Sequence, residues 1–268
     1  CTPSFIAPDV DAIHTLVFEL IVTDTDDNEA SDQVNVVVNP RNLGLLHDTG
    51  VTECYDDSAF MDCDDPDYPM QDGDTGRDVI SDVIDKSGTG NRGFDFTKFD
   101  VNGDELPNDS LVYSCVRDNV TGLIWEVKQP PAIPRFSTLR SVDNYYSMDF
   151  TGDALLGTCA SEDDCSVDEF VANVNEETFC GSASWRLPTY LELLNILDYY
   201  DVDQESLMHP DIFRYSPDEA ELDHKFYWTS NTSTEGGNGF HWVIDLATGD
   251  DSVIYETQSA YIVLVRTP

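Results

Sequence analysis

The sequence predicts a disulfide-stapled α+β domain preceded by part of a β-sandwich, and three observations carry that expectation. Residues 15–23 (TLVFELIVT) and 33–39 (QVNVVVN) are β-branched and alternate in polarity, as half-buried strands do. Ser166-x-x-Glu169 and Thr189-x-x-Glu192 are capping boxes, each followed by apolar residues at helical spacing. Seven cysteines occur with no C-x-x-C pair and only five histidines, which favours disulfides in an oxidising compartment over zinc or iron–sulfur ligation.

At 268 residues, with 40% apolar and 11% aromatic content, the chain can build a real core. Its 53 acidic against 13 basic residues give a formal charge of −40. No basic stripe exists to neutralise phosphate or sulfate, so nucleic acid, polyanions and anionic lipid are poor partners. Self-repulsion of this size calls for screening by salt or bound cations, which suits a saline or calcium-rich exterior. No stretch reaches the roughly 18 apolar residues of a membrane span.

Taken in order, residues 1–40 look like the last strands of an immunoglobulin-like sandwich, with an acidic turn over residues 24–32. A sandwich of this kind needs about seven strands, and only about three fit here. The rest would come from a longer chain or, by strand addition, from a neighbouring subunit. Residues 41–110 read as an acidic, loop-rich extension punctuated by Asp, Gly and Pro.

Residues 111–268 read as the α+β domain. Its first helix starts at Ser166, buries Val167, Phe170, Val171 and Val174, and ends at Cys180-Gly181. Its second starts at Thr189, with Leu191, Leu194 and Leu197 as the core face. Strands follow at 226–230, 240–246, 252–256 and 261–266, with a turn at Thr248-Gly249-Asp250. Proximity pairs Cys54 with Cys63 and Cys159 with Cys165, leaving Cys115 with Cys180, a closure that contributes about 4 kcal/mol in the chain-entropy view. Cys1 is left over, either as a lipid-modified first residue or with a partner outside the sequence shown.

The segments from Asp118 to Glu126 (DNVTGLIWE), Cys180-Gly181, Trp185-Arg186-Leu187-Pro188-Thr189, Glu192-Leu193, Tyr227-Trp228-Thr229-Ser230 and Val265-Arg266 occur in that order. Together they resemble the Lcl C-terminal domain family, named after a collagen-like bacterial adhesin. Gln71-Asp72, Gly76-Arg77-Asp78 and the run from Gly93 to Lys98 (GFDFTK) resemble an upstream extension in one branch of it. The resemblance implies an extracellular module with a C-type-lectin-like α+β fold, whose namesake binds sulfated glycosaminoglycans and promotes adhesion. The charge of −40 argues for a different ligand here.

Within that frame, Tyr227, Trp228, Asn231, Glu235, Asn238 and His241 are the candidate ligand-binding residues. Aromatic rings stack on sugar faces, and polar loop residues hydrogen-bond hydroxyls. Trp228, Trp242, Tyr227, Phe240 and His241 form the aromatic set. Alternation turns Trp242 and Ile244 inward, so the polar loop 231–238 (NTSTEGGN) is the better ligand surface. Trp185 reads as a core anchor and Arg186 as a carboxylate partner.

Asp100, Asn102 and Asp104 resemble the first half of a calcium loop, although position twelve is Leu111 rather than an acid; the alternative is a plain Asx turn. Asp24 and Asp26 are a comparable calcium candidate. No catalytic motif occurs: no G-x-S-x-G, H-E-x-x-H, phosphate-binding loop or dinucleotide fingerprint. The expectation is a non-enzymatic module at the cell surface or outside the cell, binding a glycan or surface protein. The alternative is a filament subunit assembled by strand exchange through residues 1–40.

Overall fold

The computed structural model describes residues 14–23, 29–38, 48–81, 84–134, 136–148, 158–160, 165–200, 206–217 and 225–268. The chain divides into two compact units, Cys1–Leu46 and His47–Pro268. Cys1, Asp24 and Asp26 lie outside the described residues.

In the first unit, β1 (His14–Thr23) pairs antiparallel with β2 (Glu29–Val38), Phe18 opposite Val34 and Leu20 opposite Asp32. β2 begins earlier than the acidic segment suggested: Glu29–Asp32 are strand, because the ladder continues as far as Thr23 opposite Glu29. Alternation puts Leu16, Phe18, Leu20 and Val34 on one face. The described part of this unit is a two-stranded ribbon, with Leu20 and Val34 exposed.

The second unit is mostly β-sheet with few helices and three disulfides. Its short strands β3 (Cys54–Tyr55) and β4 (Phe60–Met61) form a hairpin stapled by Cys54–Cys63. β5 (Phe96–Phe99), β6 (Cys115–Asp118), β7 (Ile124–Glu126) and, completing the sheet far along the chain, β13 (Val265–Arg266) run in the order β13-β7-β6-β5. β5 and the buried Phe94 and Phe96 belong to the same core as Val116 and Trp125. β5 thus ties this part of the 41–110 extension to β6 and its core.

The second sheet contains β8 (Tyr145–Ser147), β9 (Phe226–Ser233), β10 (Phe240–Asp245), β11 (Asp251–Tyr255) and β12 (Ser259–Tyr261), in the order β11-β10-β9-β12-β8. The expected single strand over 261–266 is split. Ile262, Val263 and Leu264 cross between the sheets, fully buried, where Glu126 Oε2 accepts from Leu264 N at 3.1 Å.

Two helices flank this sheet. α1 (Val167–Glu176) starts at Ser166, whose hydroxyl accepts from Glu169 N, and buries Val167, Phe170 and Val174. It stops before Cys180-Gly181, because Thr178 and Cys180 adopt left-handed backbone conformations. Cys180 is bonded instead to Cys115 on β6. α2 (Tyr190–Leu194) carries a complete capping box between Thr189 and Glu192. It spans only five residues, so the spacing that put Leu191 in the core does not hold: Leu191 is exposed, whereas Leu193, Ile196 and Leu197 are buried.

The second sheet is covered on both faces. Trp228, Val243, Ile254 and Ala260 join the core with α1 and Trp185. Tyr227, Ile244 and Tyr261 join the core with Leu193, Ile196 and Leu197. Strands buried on both faces lose the in/out alternation that marks exposed positions.

Candidate functional site

Double coverage removes two of the sequence candidates from any surface. Trp228 is fully buried, and its Nε1 donates to Tyr146 O at 2.7 Å. Tyr227 is 5% exposed and packs against Tyr261, ring centroids 5.6 Å apart. Both rings are core, because each faces a different packed layer. His241 shares the Trp228 side, edge-on at 5.9 Å, with Nδ1 buried and without a hydrogen-bond partner among the described residues. Burial pushes its pKa down, with Glu256 opposing.

The other face of β10 and β11 does reach solvent. Phe240, Trp242 and Ile244 lie opposite Tyr255, Val253 and Asp251. Ile244 is covered by core, but α2 is too short to cover the strand ends beyond it. Trp242 is half-buried there, edge-on to Tyr190 at 5.7 Å. Phe240 and Tyr255 form a second edge-on pair at 5.2 Å. The result is a shelf of Tyr190, Trp242, Phe240 and Tyr255. Trp242 shares Ile244's face, as alternation required, but lies past the edge of the packed layer.

Polar groups are fixed beside these rings. The Tyr190 hydroxyl donates to Asp251 Oδ2 at 3.0 Å, and Asn231 Oδ1 accepts from Tyr190 N at 2.7 Å. Burial first, then the Asp251 carboxylate, raises the Tyr190 pKa above the ordinary phenol value. A register shift between His241 and Val243 inserts extra β9 residues here, and Thr229 Oγ1 holds Trp242 O at 2.8 Å.

The loop that follows carries Glu235 and Asn238, both exposed. Gly236 has φ +83°, and a Cβ there would stand 2.9 Å from the Phe240 ring, so glycine lets the loop lie against the shelf. Asn231, Glu235 and Asn238 thus border the shelf, while Tyr227, Trp228 and His241 do not. Tyr190, Tyr255 and Asp251 were not evident as site residues. The turn at 248–250 carried the signal, since it sets Phe240 opposite Tyr255.

The calcium motif closes on itself. Asp100 Oδ1 accepts from Asn102 N and Asp104 N at 2.8 and 2.9 Å, and Oδ2 accepts from Asn102 Nδ2 at 3.2 Å. The backbone N–H of Asp104 chiefly holds the Asp100 carboxyl below its usual range. Both oxygens serve an Asx turn. Among the described residues no group of three or more His, Cys, Asp or Glu is placed to hold a metal ion.

Cys159–Cys165 is the third disulfide among the described residues, and the bonded partners are those that sequence proximity selects. Arg186 grips Glu192 through two bonds of 2.8 and 2.7 Å, fixing the Trp185–Thr189 corner to α2 beneath the shelf.

A family model described as the Lcl C-terminal domain matches residues 114–266. The chain belongs to that family. The Lcl C-terminal domain begins beside β6 and ends on β13, enclosing both the shelf and the Cys115–Cys180 bond. β5 lies outside the matched residues yet pairs with β6 inside them. None of the curated proteins searched matches the chain. Among the described residues no helix is long and apolar enough to cross a membrane.

Proposed function

We propose that this Lcl C-terminal domain is a non-enzymatic adhesion module, outside the cell or on its surface, that stacks a neutral glycan on the shelf of Tyr190, Trp242, Phe240 and Tyr255. The observation that carries this reading is the state of the four tryptophans. Trp125, Trp185 and Trp228 are fully buried, whereas Trp242 is half-buried among other rings. Rings held edge-on to one another present CH-stacking faces, and Asp251, Asn231, Glu235 and Asn238 supply acceptors and donors for hydroxyls. Membership of an adhesin-like family and three disulfides are consistent with an extracellular location. The reading takes the fold as C-type-lectin-like and calcium as a counter-ion to the acidic surface rather than a ligand of Asp100.

A glycan array probed with the wild type and with Trp242→Ala tests it. Binding to neutral oligosaccharides that W242A loses is the expected result; equal signals from both proteins, or none from either, would reject it.

A second reading has its own observation. The β1–β2 ribbon exposes Leu20 and Val34 on its apolar face, as a strand pair from an immunoglobulin-like sandwich would if completed by another copy. Sedimentation velocity over a hundredfold concentration range decides it: association that Leu20→Asp abolishes supports assembly, and a monomer throughout rejects it.

A further inference from the structure

In a chain whose acidic residues outnumber basic ones 53 to 13, an open pocket of about 210 Å³ is lined by Lys128, Arg140 and Arg214 and by no carboxylate. It lies where Tyr113 and Ser114, just before β6, meet Val127–Pro130, just after β7, and Arg214-Tyr215. It involves none of the shelf residues. Three cations from positions 128, 140 and 214 share no sequence run, so only the fold brings them together.

Each cation is held in place with donor capacity to spare. The Lys128 side chain is 9% exposed, and its ammonium pairs with Glu126 Oε1 at 3.2 Å and lies 4.3 Å from the Phe170 ring centre. No further polar contact reaches Lys128 Nζ among the described residues. An ammonium has three donors, and the contact to Glu126 engages one of them while the nitrogen itself is closed off from solvent. Burial pushes its pKa down, with Glu126 opposing, as for a cation short of compensating charge. Arg140 pairs with Glu177 at 2.7 Å and stacks over Phe179. Arg214 donates to Leu111 O at 2.8 Å, lies over the Tyr113 ring, and forms no ion pair with a described residue. Glu126 and Glu177 answer Lys128 and Arg140, while the Asp211 carboxylate acts on the same Tyr113 as Arg214 without pairing with it.

Beside the cations, the lining mixes polar Ser114 and Gln129 with apolar and aromatic groups. Val127, Pro130, Tyr113 and Tyr215 form the walls, and Leu111 and Val112 stand at the rim, 75% and 86% exposed. The volume matches about seven waters, which suits one amino-acid-sized group rather than a run of polymer.

We propose that this pocket binds a monocarboxylate with an apolar body, such as the free C-terminal residue of a peptide, its carboxylate answering Arg214 and its body lying against Tyr113, Tyr215 and Val127. A single guanidinium with no described ion-pair partner selects a monoanion over a polyanion, and the Tyr113 and Tyr215 rings favour an aryl body. This site is independent of the shelf.

The test is a heteronuclear NMR titration of the whole chain with N-acetyl-L-phenylalanine, N-acetyl-L-phenylalaninamide and glucuronate. The acid is expected to shift amides of residues 111–114, 127–129 and 214–215 saturably. The amide should bind about tenfold more weakly, the loss of one charged hydrogen-bonding group. Arg214→Gln, at an exposed side chain, should weaken the acid at least fivefold while leaving the rest of the spectrum unchanged. Trp242→Ala should leave it alone, so failure at the shelf and failure here are separable. Equal binding of acid and amide, no shift by either at millimolar concentration, or an R214Q protein that binds as the wild type would overturn the proposal. Glucuronate binding as tightly as the aryl acid would overturn the apolar body and assign the pocket to acidic sugars. Should R214Q perturb the fold, Tyr215→Ala provides the same reading through the wall.

Discussion

The hydroxyl of Tyr190 donates to Asp251 Oδ2 at 3.0 Å, tying the first residue of α2 to the first residue of β11. This bond sets the Tyr190 ring edge-on to Trp242. Tyr190→Phe keeps the ring and removes the tie, so glycan affinity should fall about three- to tenfold with little change in stability. The phenol pKa is raised above 10.0, so its contribution is complete below that value and is lost as pH rises through the folded pKa. The difference in alkaline absorbance titration between wild type and Y190F should show one tyrosine ionising above pH 10.

Trp228 makes the opposite prediction. Its indole is buried with its N–H on Tyr146 O, so Trp228→Phe should destabilise by about 1–3 kcal/mol through the unpaired carbonyl and lost packing. Denaturant melts measure this, and the folded variant should bind shelf ligands as the wild type does. A binding loss without a stability loss would return Trp228 to the site.

The Arg186–Glu192 pair predicts acid sensitivity. Burial pushes Glu192 up, but the Arg186 and Thr189 hydrogen bonds outweigh it and hold the carboxyl below 4.5. A lowered folded pKa gives stability that is present above the unfolded value and is lost as pH falls through the folded one. Arg186→Met should therefore flatten the stability profile below about pH 4.5 relative to the wild type. At neutral pH, Glu192→Ala should cost about 1 kcal/mol through the broken capping box.

Cys115–Cys180 closes a separation of 65 residues between β6 and the turn after α1. Removing both cysteines with Ala should cost about 4 kcal/mol in the chain-entropy view and lower the thermal midpoint by ten degrees or more. Scanning calorimetry checks this, and a shift of only a few degrees would place the stability in the two cores instead.

Much of this architecture was legible because its signals are local. Ser166 and Thr189 mark the helix starts, and the 248–250 turn marks the β10–β11 hairpin. Which aromatic rings reach water was not legible, since both faces of the second sheet are packed and alternation cannot separate Trp228 from Trp242. The short α2 decides that difference, and its length depends on Asn195 ending the helix where the spacing of Leu191, Leu194 and Leu197 suggested continuation. The cationic pocket was hidden for another reason. Lys128, Arg140 and Arg214 are isolated in a sea of acids until the sheets bring them together.

The most direct test of the shelf is intrinsic fluorescence, because Trp242 is the one tryptophan not fully buried. Titrating the wild-type chain with neutral oligosaccharides, such as chitotetraose, cellotetraose and mannotetraose, should give a saturable shift in emission with at least one of them, absent from Trp242→Phe. Unchanged emission across the panel at millimolar sugar, or the same shift in the W242F protein, would contradict the account.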